Sequence, residues 1–161
     1  MNLPMARALG VIVALVLPVA AHAAVSCQIT ATGPAFGTYS PSNTSATVAN
    51  GTLTATCTLT SGNSASVTLT SSYSTGSSGT FSSRVMLSGS NRLSYNLYFD
   101  AAYTQIRGDG TGGSQTGSSS MSLTRASPTQ EVESTIYGRV TAGQDVAPGT
   151  YTDTITVTIT Y

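Results

Sequence analysis

The chain has 161 residues, of which only 7% are charged, against roughly 25% in an ordinary soluble domain. It carries 24 serines, 27 threonines, no lysine, no tryptophan and a net charge of +0. Six arginines balanced by six acids give no basic footprint, which excludes a typical nucleic-acid binder. With so little charge and 40% hydrophobic residues, the chain has the material for a core and no charge repulsion to prevent one.

The first segment reads as a targeting signal. Arg7 precedes the apolar run Leu9 to Val19, which is too short to span a bilayer. Ala21-His22-Ala23 then forms a small-x-small cleavage pattern. Residues 1–23 are therefore expected to be a signal peptide, and 24–161 a single exported domain with no membrane span. The short core and the cleavage site argue against the alternative, an uncleaved membrane anchor. Cleavage removes His22, the one histidine, and leaves five arginines against six acids.

Export makes sense of Cys27 and Cys57, an even pair that reads as a disulfide. A reactive or metal-binding thiol is the weaker alternative, because no histidine remains to activate or co-ligate it.

The rest of the chain alternates with period two. Val25 to Thr30 is a short strand candidate. In Thr52 to Thr60, Leu53, Ala55, Cys57 and Leu59 share one face and threonines fill the other. Gly62-Asn63 marks a turn, after which Ala65, Val67 and Leu69 resume the alternation. Leu93, Tyr95, Leu97 and Phe99 form a further apolar face; Met121 to Thr124 is short, and Val132 to Val140 is weaker. The clearest strand is the last, with Tyr151, Asp153, Ile155, Val157, Ile159 and Tyr161 on one face. About seven such strands, punctuated by Gly, Asn and Ser, predict an all-β antiparallel β-sandwich stapled by one disulfide between its first two strands. Gly33 to Asn50 and Arg107 to Ser120 are expected to be long loops, the second one mobile.

The catalytic inventory is sparse, and the expectation is no enzyme and no cofactor or metal. Serines have no histidine or lysine to activate them. Glu131 and Glu133 share a strand face and could form a glycosidase pair, but a solvated edge is the commoner role. Arg107-Gly108-Asp109 is an integrin-type tripeptide, too short a match to carry weight. Asp109 among its glycines lacks the repeated ligands that calcium needs.

Pro148-Gly149 is a turn, and the strand from Tyr151 runs to Tyr161. Pattern alone leaves two readings open. The strand either closes the sandwich internally, or it presents a free edge, threonine-rich and without lysine, to a partner's strand.

A set of short motifs runs in order through the domain. These are Cys27, Phe36-Gly37-Thr38-Tyr39, Cys57, Arg84-Val85-Met86-Leu87, Leu93 to Tyr98, Gly108-Asp109-Gly110-Thr111, Tyr137-Gly138-Arg139-Val140 and Gly149 to Thr154 with its alternating tail. In these the chain resembles the spore coat protein U domain family, which includes subunits of archaic chaperone–usher pili. The resemblance implies an immunoglobulin-like sandwich lacking its final strand. It also implies a periplasmic chaperone that donates the missing strand, and an outer-membrane usher that exchanges it for the extension of a neighbouring subunit. By position, Ile155, Val157, Ile159 and Tyr161 would form the edge that receives the donated strand. Leu93, Tyr95, Leu97 and Phe99 would help floor the groove.

Only Ala24, Val25 and Ser26 separate the expected cleavage site from Cys27, too few at about 3.3 Å each to lay a strand across a neighbour. The expectation is a pilus subunit that accepts a strand without giving one, placed at the tip and acting in surface attachment or biofilm. It would pass through the periplasm to the cell surface or beyond. Two alternatives stand beside it: a secreted coat-like structural protein that folds alone, and a carbohydrate- or surface-binding adhesin module. The latter would use Tyr98, Tyr103, Arg107 and Asp109 as its contact loop.

Overall fold

The structure, a computed structural model, describes residues 23–161. Arg7, His22 and all but the last residue of the expected signal peptide lie outside them.

Eight strands form two antiparallel sheets: β1 Ala24–Thr32, β2 Thr47–Ser61, β3 Ser64–Tyr73, β4 Arg84–Ser88, β5 Asn91–Tyr98, β6 Gly117–Thr124, β7 Thr129–Val140 and β8 Val157–Thr160. One sheet has the order β1-β2-β7-β5-β4, the other β6-β3-β8. The all-β sandwich is as the alternation predicts, with one strand more than the expected seven. Threonine suits this design: its branched side chain is favoured on a pleated surface, and its hydroxyl tolerates water.

The chain repeatedly changes sheet. Gly62-Asn63 carries it from β2 in the larger sheet to β3 in the smaller, so this turn is a corner and not a hairpin. A tight hairpin joins β4 to β5, with Gly89 at φ 61° opening its two-residue loop. A side chain is disfavoured at that angle, and glycine at the first loop position suits a right-handed ribbon.

Cys27 and Cys57 face each other in the β1–β2 register and are joined by a disulfide. The chain-entropy account gives such a link about 3–4 kcal/mol. Replacing both cysteines by alanine should lower the unfolding free energy by about that much, read as a shift in the urea midpoint. An unchanged midpoint would show the link to be dispensable.

Two apolar clusters fill the space between the sheets. Leu53, Tyr73, Met86, Tyr95, Leu97, Ile136 and Val140 belong to one. Ala55, Cys57, Val67, Leu69, Met121 and Leu123 belong to the other.

Three expectations are corrected. The final strand is not continuous. Thr152 exchanges two backbone hydrogen bonds with Leu87 at the edge of β4, at 2.8 and 3.0 Å. The chain then crosses to the smaller sheet, where Val157–Thr160 pairs with β3. Next, β4 was not anticipated: Arg84, Val85 and Met86 are all buried, so it shows no alternation. Last, the 107–120 segment is tied down. Gly108 and Gln115 donate to Gln115 and Ile106 carbonyls, and the last four residues already belong to β6.

Candidate functional site

The side of the sandwich where β1 faces β8 is open. Both are edge strands, β1 of the larger sheet and β8 of the smaller. Among the described residues, no strand pairs with their outer sides. The consequence shows in burial: Val25, Cys27 and Ile29 on β1, and Val157 and Ile159 on β8, point inward yet are only half-buried. Ile29 and Ile159 pack against both apolar clusters, so the gap lies along the seam of the core.

Three cavities open around the core, and one of them lies on this seam. One of about 110 Å³ lies at Ile159, between Leu53, Ala55 and Phe99 and the start of β6 at Gly117 and Ser119. The next, about 370 Å³, is walled by Tyr95, Leu97 and Ile136 on one side and by Ile155 and Val157 on the other. The third, about 650 Å³, shares Phe36, Met86 and Tyr151 with the second and extends to Tyr39, Leu93 and Val146. The 370 Å³ cavity, with Ala31 and Thr32 of β1 and Val157 of β8 in its wall, is the apolar groove between the two edges.

Local chemistry holds these walls. Phe36 packs close on the larger sheet because Gly138 has no side chain; a Cβ there would meet Phe36 Cζ and Pro34 at 2.8 Å. Phe36 also meets the Tyr95 ring edge-on, with centroids 5.9 Å apart. Tyr95 donates its hydroxyl to Asp153 Oδ2 at 2.7 Å, and Ser77 donates its amide and hydroxyl to Asp153 Oδ1. Burial pushes the Tyr95 phenol well above the usual tyrosine range, and the Asp153 carboxylate pushes the same way. Asp153 thus fixes the crossing segment just before Ile155. Beside the third cavity, the Tyr39 hydroxyl accepts from the Gln144 amide at 2.7 Å, and the Gln144 side chain clasps both backbone groups of Ser94.

The residues singled out from sequence fall as follows. Leu93, Tyr95, Leu97 and Phe99 all line the cavities, as do Ile155, Val157 and Ile159. Tyr161 lies beyond the groove at 60% exposure. Phe36, Tyr39, Met86 and Tyr151 were missed as lining residues. The aromatics flanking Gly37 in an otherwise polar loop were the available signal.

The expected contact loop divides. Tyr98 and Tyr103 are half-buried on the outer face of the larger sheet, and their rings meet edge-on at 5.5 Å. Asp109 is exposed, and the Thr111 hydroxyl and amide hold its carboxyl below the usual range. Arg107 is no surface contact: it is 1% exposed. Its guanidinium donates to the Tyr98 and Thr135 carbonyls and to the Tyr73 and Ser134 hydroxyls, and it lies 4.0 Å over the Phe99 ring. Arg84, also fully buried, donates to Ser74 O, Arg107 O and Asn96 Oδ1. Burial lowers the pKa of both arginines.

The family profile of the Spore Coat Protein U domain matches residues 13–158. The chain belongs to this family. No curated protein matches it. Among solved structures, the fold is similar to a chain in the crystal structure of the CsuC-CsuE chaperone-tip adhesion subunit pre-assembly complex from archaic chaperone-usher Csu pili of Acinetobacter baumannii. That match has a TM-score of 0.54 at 17% identity, over 85% of this chain. The present chain spans 40% of that neighbour's length. The Spore Coat Protein U domain here is an all-β module of two antiparallel sheets.

Proposed function

We propose that this chain is an exported subunit of a chaperone–usher pilus that acts by accepting a complementing β-strand into the groove between β1 and β8. The observation that carries the reading is the pairing of two unpartnered strand edges with half-buried apolar residues on both lips. A strand added there would gain backbone hydrogen bonds from an edge and bury alternate side chains against the half-buried lips and in the cavity between them. Family membership and the likeness to a chain of a chaperone–subunit complex support it.

The donor is first a periplasmic chaperone and then, at the outer-membrane usher, a neighbouring subunit. Residues from Ala24 onward are paired with β2 inside this domain, so a strand given to a neighbour would have to come from the residues before them. On this proposal the subunit is terminal in the pilus and acts in surface attachment.

Co-expression with a periplasmic pilus chaperone tests the assignment. The mature chain should co-purify with that chaperone in equal amounts. Ile159→Asp, which puts a charge on the groove lip, should abolish the complex. Recovery of the wild-type chain free of chaperone, stable and monomeric, would refute strand acceptance.

A further inference from the structure

On the face of the larger sheet turned away from the groove, Tyr98 and Tyr137 are register partners on β5 and β7. Arg139, two residues further along β7, points to the same side and is exposed. Tyr103 reaches over from the loop after β5. Its ring meets Tyr98 edge-on, and the Arg139 guanidinium lies 5.5 Å over it. Exposed Val48, the register partner of Arg139, borders the cluster.

Two observations set this cluster apart from ordinary surface packing. Tyr103 has φ 58°, the one non-glycine residue among those described with a positive value. A tyrosine in the left-handed region is strained, and such strain gathers at functional sites. Local chemistry holds it there: the Asp100 carboxylate accepts the amides of Thr104 and Gln105 and the Thr104 hydroxyl, while the Tyr103 amide donates to Asp100 O. The second observation is the state of Arg139. Among the described residues its guanidinium has a ring contact but no hydrogen bond or ion pair. Its planar fork of donors is therefore free to meet a carboxylate in two parallel bonds.

Arg92, further up β5, is the other cation of this end, and Asp100 is already engaged by backbone amides. The nearest carboxylate along β7 is Glu133, about 20 Å from Arg139 at the rise of an extended strand. Tyrosine rings offer flat apolar faces with a hydroxyl rim, which suits the alternation of C–H and O–H on a sugar ring.

We propose that Tyr98, Tyr103, Tyr137 and Arg139 form a binding site for an acidic polysaccharide, with uronate carboxylates on Arg139 and sugar rings against the tyrosines. The site lies on the opposite side of the sheet from the groove and does not depend on what fills it.

Affinity electrophoresis of the mature chain, purified with whatever periplasmic partner holds it, tests this. Polygalacturonate should retard it and dextran should not. Arg139→Gln, at an exposed side chain, should weaken binding by about tenfold, the scale of a lost charge-assisted contact. Tyr103→Gly releases the strained backbone, so binding should fall while the melting temperature holds or rises. Equal retardation by dextran, attachment to anionic-lipid vesicles in place of the polysaccharide, or unchanged binding in both variants would overturn the proposal. Loss of chaperone binding with polysaccharide binding intact would count against strand acceptance alone.

Discussion

The mature chain extended past Tyr161 by a turn and a strand of alternating apolar residues will melt roughly 20 °C above the unextended chain. The magnitude follows from burial. Three or four donated apolar side chains would enter the groove, and each fully buried one contributes about 1.5–3 kcal/mol. For a domain of this size each kilocalorie raises the melting point by about 2–4 °C. The lips respond as well, because Ile29, Val157 and Ile159 pass from half-buried to covered. Side-chain size should matter where the strand passes the cavity between Leu97, Ile136 and Val157, which holds about 370 Å³ and takes a bulky residue. An extension with serine at the same alternate positions should give no increase. Equal melting points for the apolar and serine extensions would mean that the groove is not a strand acceptor.

Alternation made most of this fold legible. Leu53 to Leu59 and Val67 to Leu69 show one buried and one wet face, because each strand has a sheet on one side and water on the other. Where an element is buried on both faces the signal vanishes, which is why β4, with Arg84, Val85 and Met86 all inside, was not seen. The break in the last strand left no trace either. Period two reports which side of the backbone faces the core, and this does not change when Tyr151–Tyr161 leaves β4 for β3. What marks the crossing is the anchorage of Asp153 by Ser77 and Tyr95, contacts made across a long stretch of sequence. The groove was half visible. Leu93 to Phe99 and Ile155 to Ile159 follow from pattern and resemblance, whereas Phe36 and Tyr39 sit in a loop whose path depends on the missing side chain of Gly138. Arg107 was misjudged for a simple reason. A charge among glycines reads as exposed, and only the three-dimensional path places neutral oxygens around it.

Arg107→Met is expected to lower the unfolding free energy by about 3–5 kcal/mol, although it removes a buried charge that has no carboxylate partner. Replacing a buried ion by an apolar side chain is often harmless, so the sign needs an argument. Here the guanidinium does work that backbone pairing stops doing. The β5–β7 ladder ends at Tyr98 and Tyr137. Beyond it, Arg107 donates to Tyr98 O at 3.0 Å and Thr135 O at 2.6 Å, bridging the two strands as they part. It also satisfies the Tyr73 and Ser134 hydroxyls, and its own carbonyl accepts from Arg84 at 2.7 Å. Methionine would fill the volume and leave two carbonyls and two hydroxyls short of a donor, each costing about 1–3 kcal/mol where water cannot reach. Arg107→Lys should lose nearly as much. A single ammonium with three donors cannot reach both strands, and it is more strongly hydrated than a guanidinium. Urea unfolding of both variants measures the effect. If lysine restores wild-type stability, the site needs only a positive charge and the bridging geometry is incidental. If methionine does, the orphaned oxygens find other donors and the ladder does not depend on Arg107.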